Sequence, residues 1–173
     1  MTVQKQKERE KEDQYFMMLA LEQGQLAYDA GEVPVGAVVV QDGEVIGRGY
    51  NQPITSLDPS AHAEVVAVRD AAKNIGNYRL TGATLYVTVE PCTMCAGCLV
   101  HSRLARLVYA ATEPKSGAVE SAMCLLDSPF FNHKIEVRSG VLAEQASSLM
   151  SCFFKMRREN KKKLKRLNDR ANL

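Results

Sequence analysis

The chain predicts a layered α/β domain built on a mixed sheet. Three observations lead there: a tight hairpin early in the chain, β-branched runs alternating with amphipathic helical stretches, and no internal repeat or linker that would divide the sequence. Residues 1–12 read as a flexible, charged lead-in. From 14 to 30, Phe16, Leu19, Ala20, Leu26 and Ala27 recur at helical spacing, and Gly31 and Pro34 bracket the end of that helix. A β-branched run at 35–41 meets the turn pair Asp42-Gly43, and 44–50 is the return strand. Pro53 and Pro59 make 51–60 a loop. Residues 61–75 are helical, with Ala61, Val65, Val68 and Ala72 on one face, and 84–89 is a second apolar strand. Pro91 stands where a helix can start, since its missing N–H costs nothing in a first turn, and that helix runs to about Ser102. A strand at 104–111, a mixed loop and short helix at 112–133, and an edge strand at 135–137 follow. The chain closes on a basic helix, 142–170, whose buried stripe is Ala146, Leu149, Cys152, Phe153 and Met156, with Leu164 and Leu167 extending it. The whole of 1–173 reads as a single domain.

Composition excludes several classes. At 173 residues, 46% hydrophobic and 24% charged, the chain is too apolar to be disordered and large enough to bury a core. It has no apolar run near the ~18 residues of a membrane span, and its N-terminus lacks the apolar centre of a secretory signal, so a cytoplasmic location is expected. The five cysteines are odd in number and Cys92, Cys95 and Cys98 are crowded, which points to metal or thiol chemistry in a reducing compartment. The net charge of +2 hides an asymmetry: residues 153–173 carry nine Lys or Arg against two Asp or Glu, or +7, leaving −5 for the remainder. Such a tail fits a polyanionic partner, or else a solvated helix end whose cations meet the helix dipole.

Two short segments carry the chemistry, His62-Ala63-Glu64 and Pro91-Cys92-Thr93-Met94-Cys95, each at an expected helix start. In open α/β sheets, sites form where strand ends meet helix starts. Two helices aimed at one point would bring His62, Cys92 and Cys95 around one ion, with their dipoles favouring thiolates there. One imidazole and two thiolates are a zinc set, and three protein ligands leave a tetrahedral corner open for water, as in catalytic sites. Zinc lowers the pKa of such a water toward ~7. Glu64, two residues past a ligand, is placed to take the water's proton and return it to substrate. A closed CxxCxxCxxH cluster, with Cys98 and His101 added, is the competing reading. On a helix, however, each three-residue step turns a side chain by about −60°, so His101 would face away from Cys92. Cys98, Cys124 and Cys152 are then small core residues, and His101 and His133 hydrogen-bonded histidines.

His-Ala-Glu followed by Pro-Cys-Thr-Met-Cys resembles the H-x-E…P-C-x-x-C pattern of the zinc-dependent nucleoside and nucleobase deaminases, a pattern already well known for that chemistry. The segments 32–40, 51–53, 58–64, 77–80, 84–97, 101–103, 114–118 and 153–158 extend the likeness to the bacterial tRNA adenosine deaminases, over about residues 14–160. The resemblance implies a three-layer α/β/α cytidine-deaminase-like fold, a mixed five-stranded sheet with helices on both faces. It implies hydrolytic deamination of adenosine to inosine at the wobble position of the tRNA anticodon. It also implies a homodimer with one zinc per subunit, held by His62, Cys92 and Cys95 beside the proton shuttle Glu64.

By position, Asn51 aligns with a base-contacting asparagine, although an asparagine there also suits loop capping. Glu113 and Lys115 fall in the substrate-facing loop, with Glu113 standing where relatives carry Asp and Cys98 where small residues are more usual. Phe154 lies about 100° from the buried stripe, so beside Lys155, Arg157 and Arg158 it either stacks on a splayed RNA base or packs on a dimer partner. Two other functions compete: a deaminase of free cytidine, cytosine or guanine, which has no need of the basic tail, and a zinc-stabilised RNA-binding module, which has no need of Glu64.

Overall fold

The structure, a computed structural model, describes residues 3–171, with side chains to Asn168. Five strands form one sheet in the order β2-β1-β3-β4-β5: β1 (Gly36–Gln41), β2 (Glu44–Tyr50), β3 (Thr84–Val89), β4 (Arg106–Ala111) and β5 (Glu136–Arg138). The hairpin β1/β2 and the pair β1/β3 are antiparallel, whereas β3/β4 and β4/β5 are parallel, so the sheet is mixed as expected. Helices α1 (Val3–Asp29) and α4 (Ala143–Ala171) cover one face, and α2 (Ala63–Ile75) and α3 (Thr93–His101) the other.

Alternation along the strands divides the core. Val38, Val40, Tyr86, Val108 and Ala110 meet Phe16, Met17, Ala20 and Ala146, while Ala37, Val39, Leu85, Val87, Leu107 and Tyr109 meet Ala67, Val68, Ala71 and Leu99. Because β3 and β4 are covered on both sides, they read as continuous apolar runs. Helix α2 lies unusually close to β2. A Cβ on Gly47 would sit 2.5 Å from the Ala67 carbonyl oxygen, and one on Gly49 would sit 2.4 Å from that of Ala63. Glycine at these positions lets α2 seat on the sheet and brings its first residues to the end of β3.

Several expectations are corrected. The flexible lead-in at 1–12 is α-helical from Val3 onward, Met1 and Thr2 lying outside the described residues. Its polar residues are useful to the fold, since Gln4 bonds Glu8 one turn on and Arg9 pairs with Glu136, and Asp13 just beyond it is fully buried. Leu26 and Cys152 were expected on buried stripes but are exposed, each lying about 100° from a buried neighbour, Ala27 and Phe153 respectively. Leu164 and Leu167 do not extend the buried stripe of α4; both are exposed, on turns well beyond its buried Phe153. Cys124, expected in the core, is exposed on the loop just before a 3-10 turn at Leu125–Asp127. Among the described residues no helix is long and apolar enough to cross a membrane.

Candidate functional site

Helices α2 and α3 begin at the carboxyl end of β3, and their N-cap residues are His62 and Cys92. Both caps have extended backbone, and neither side chain bonds its own helix. Helix starts usually put Ser, Thr, Asp or Asn there to satisfy the first N–H groups. Here the cap side chains turn to each other instead. The Cys92 and Cys95 sulfurs are 3.7 Å apart, and His62 Nδ1 lies 3.7 Å from the first and 3.6 Å from the second.

These spacings test the donor set. A tetrahedral zinc, at about 2.3 Å from sulfur and about 2.0–2.1 Å from imidazole nitrogen, separates two sulfurs by about 3.8 Å and sulfur from nitrogen by about 3.6 Å. The triangle therefore fits zinc on three corners. Among the described residues it is the one set of three metal-ligating groups whose ligand atoms all lie within 4.8 Å. Cys98 and His101 are outside it, since α3 is a regular helix that turns them away. The two sulfurs lie within hydrogen-bond distance of each other. The contact with Cys95, then that with His62, holds the Cys92 thiol down to about 3, while the same contact and burial push the Cys95 thiol up. The Cys92 sulfur in turn holds the His62 imidazole above its ordinary pKa, against the effect of burial. A zinc would replace those protons, because its ligands bind deprotonated.

Glu64 sits in the first turn of α2, 4% exposed, and lines the same cavity as His62 and Cys92. Burial raises its pKa above the usual carboxylate range. The cavity measures about 310 Å³, at the lower end of ligand-pocket sizes and fit for one nucleobase with its sugar rather than a polymer. Its walls include Glu32, Asn51, Pro53, Ile54, Glu90, Glu113, Ser116 and, from α4, Met150.

The other expected site residues divide into groups. Asn51 is buried at the pocket wall, where its Oδ1 accepts the Ala63 N–H at 2.9 Å. Of the two readings, the structure shows the capping one, with the oxygen engaged at the start of α2, while the amide NH2 makes no hydrogen bond among the described residues. Glu113 also lines the pocket, its carboxylate accepting the Lys115 N–H at 3.1 Å, whereas Lys115 itself is exposed outside the cavity. Phe154, 42% exposed, lies with Arg157 and Arg158 beside a separate hollow along α4 that also takes in Lys161 and Leu164. Phe154 is one turn beyond Met150, so α4 carries the basic face outward from the pocket wall. Away from the pocket, His133 is hydrogen-bonded as expected, its Nε2–H donating to the Leu104 carbonyl at 2.6 Å, whereas His101, of which the same was expected, is exposed at the end of α3 and has no side-chain hydrogen bond among the described residues.

Two carboxylates escaped the sequence reading. Glu32 accepts the Thr55 N–H at 2.7 Å, and Glu90 gathers the donors of the loop after β4; both are buried. The available signal was a lone acid in each of two apolar stretches, 32–40 and 84–91.

Comparison with known proteins follows the same lines. Residues 10–111 match the cytidine and deoxycytidylate deaminase zinc-binding region. The tRNA-specific adenosine deaminase of Haemophilus influenzae is 52% identical over 157 residues, covering 90% of this chain and 91% of its own. The Bacillus subtilis enzyme of the same name is 45% identical over 151 residues, covering 87% and 94%. A solved structure from studies of A-to-I editing by tRNA:A34 deaminases at the wobble position of transfer RNA superposes with a TM-score of 0.76 at 44% identity, covering 78% of this chain and 98% of that one.

Proposed function

The chain belongs to the cytidine and deoxycytidylate deaminase family, and on that footing we propose that it hydrolyses adenosine to inosine at the wobble position of the tRNA anticodon. The observation that carries the reading is Glu64, a buried carboxyl beside three metal-ligating groups that leave a fourth tetrahedral corner open. Held by His62, Cys92 and Cys95, one zinc per subunit supplies, when bound, a water acidic enough to be a nucleophile near neutral pH.

The rest is the work of the chain's own side chains. Glu64 receives the proton that hydrolysis liberates and delivers it to N1 of the adenine, then passes a proton to the departing amine, so that water and adenosine become inosine and ammonia. Burial, which raises its pKa, suits a carboxyl that must hold a proton and release it within one turnover. Asn51, its oxygen engaged by Ala63, offers its NH2 as a donor to the base. The apolar wall of Val35, Pro53, Ile54 and Met150 gives the base a surface to pack against.

Substrate size follows from α4. A pocket for one nucleoside leaves the remainder of an anticodon loop outside, where Phe154 offers a stacking face and Arg157 and Arg158 offer charge to phosphate. An enzyme for free nucleosides has no use for that surface. The chain acts as one deaminase domain, 1–173, and pairs as a homodimer. Its five unpaired cysteines fit a reducing, cytoplasmic compartment.

Incubating the zinc-loaded protein with a transfer RNA pool and sequencing the product tests the reading. A read as G at the wobble base is the expected result. Ammonia released from free nucleosides, with the tRNA unchanged, would overturn it.

A further inference from the structure

We propose that Glu90 is a positioning residue: its buried carboxylate draws the loop 113–121 onto the end of β3 and so sets Glu113 and Ser116 against the catalytic pocket. The proposal rests on the reading of that pocket as a deaminase site.

Glu90 follows the last residue of β3 and stands two before Cys92. It is 3% exposed, a costly place for a lone acid. Five donors converge on it, all from one loop. Oε1 accepts the N–H groups of Val119 at 3.1 Å, Glu120 at 2.8 Å and Ser121 at 2.9 Å. Oε2 accepts the Glu113 N–H at 3.0 Å and the Ser121 hydroxyl. A carboxylate offers about four lone-pair sites, so these oxygens have no capacity left for a metal or for proton transfer. Glu90 therefore acts through the loop, unlike Glu64, which shares the pocket with the ligand groups.

The loop is shaped to receive the carboxylate. A Cβ on Gly117 would sit 2.4 Å from Glu90 Cδ and 2.6 Å from the Glu113 carbonyl oxygen, so the chain passes only as glycine. Gly117 also bridges Cys92 across an antiparallel pair, and Ala118 donates to the Pro91 carbonyl at 2.8 Å. The segment that ends in Cys92 and the segment that carries Glu113 and Ser116 thus share one anchor. At its outer turn the loop exposes Lys115, whose backbone N–H is held by Glu113 Oε1.

The informative variant is Glu90→Gln. An amide oxygen kept at the Oε1 position preserves three bonds, while the NH2 falls opposite the Glu113 N–H, donor against donor. The Ser121 hydroxyl can rotate to accept; the Glu113 N–H cannot. Glu90→Gln therefore unhooks the pocket end of the loop in particular. In the full-length, zinc-loaded protein we expect KM for an anticodon stem-loop to rise about tenfold, the usual scale for a lost bond to a charged acceptor, with kcat nearly unchanged. Zinc content should remain that of the wild type, and trypsin should cut after Lys115 several-fold faster. Gly117→Ala, which forces the loop off the carboxylate, should move both readouts the same way and decides the matter should Glu90→Gln not fold. An unchanged cleavage rate at Lys115, or a loss of activity fully accounted for by lost zinc, would overturn the proposal. A wild-type protein that left the stem-loop unedited would sink the deaminase reading instead, and the Lys115 cleavage rate would still decide the role of Glu90.

Discussion

Two residues at the pocket separate chemistry from scaffolding. Glu64 is not the cap of its helix, and it closes no ion pair among the described residues, so Glu64→Ala should abolish turnover, a loss of about 10²–10⁴-fold or more, while zinc stays bound. Kinetics alongside metal analysis check this, and metal loss in that variant would show Glu64 to be structural. Asn51 Oδ1 holds the Ala63 N–H, and the proposed function gives its NH2 to the base. Asn51→Asp keeps an oxygen for the Ala63 N–H but removes the donor to the base, so activity should fall with the melting temperature near wild type. Asn51→Ala removes both and should also lower stability by about 1 kcal/mol, the scale of a lost helix cap, measurable by denaturant unfolding. The motif residues themselves were legible from spacing, since His-x-Glu and Cys-x-x-Cys carry their chemistry in the order of the chain. Glu32 and Glu90 were not, because their worth lies in loop N–H groups more than 20 residues away in sequence.

At the scale of elements, α2 and α3 turn two short motifs into one site, and α4 gives that site a direction. The later turns of α4 are exposed and strongly cationic, with Arg157, Arg158 and Lys161 around one hollow. Like charges at i, i+3 and i, i+4 work against an isolated helix, so a polyanion laid along it would relieve that repulsion. Charge-neutral substitution, Arg157→Gln and Arg158→Gln together, should weaken binding of an anticodon stem-loop and flatten the slope of log affinity against log salt by about 0.7–0.9 for each phosphate no longer neutralised. Binding titrations at several salt concentrations measure it; an unchanged slope would remove these residues from the interface. The charge run was plain in the sequence. That it begins one turn beyond a pocket-lining Met150 was not, because helix phase relative to a cavity depends on how α4 is seated on the sheet.

For the whole molecule, the end of the sheet away from the pocket is held by a buried charge network. Asp13 of α1 accepts Arg106 Nη1 at 2.6 Å and Nη2 at 2.8 Å from β4, Arg138 Nη1 at 2.8 Å from β5, and the Tyr86 hydroxyl at 3.0 Å from β3. Burial alone would raise the Asp13 pKa, but Arg106 foremost among these partners outweighs it and the net shift is downward. A carboxyl depressed in the fold stabilises it above the unfolded value of 3.8, and that contribution is lost as pH falls below 3.8 toward the folded value. Stability measured against pH should therefore drop in that acid window, and less steeply in Asp13→Asn. The same variant should cost about 3–5 kcal/mol at neutral pH, since it leaves the buried Arg106 without the carboxylate that holds both its Nη groups. Urea unfolding at several pH values tests both. Sequence reasoning gave Asp13 no role and read the charged run before it as flexible, because such charges look solvated until their partners are known, and those of Asp13 lie on three different strands.

Taken by itself, the sequence determined the secondary elements from Gln14 onward to within a few residues, the mixed sheet and the three candidate metal ligands with their carboxyl neighbour. All of these are encoded locally, in periodicity, turn pairs and motif spacing. Tertiary structure alone decided how far α1 extends, which face of α4 meets the pocket, and that Asn51, Glu32 and Glu90 hold the walls of the site. The physical reason is that a buried polar group is stable only with its partners, and those partners are brought to it by the fold across distances the chain order does not disclose.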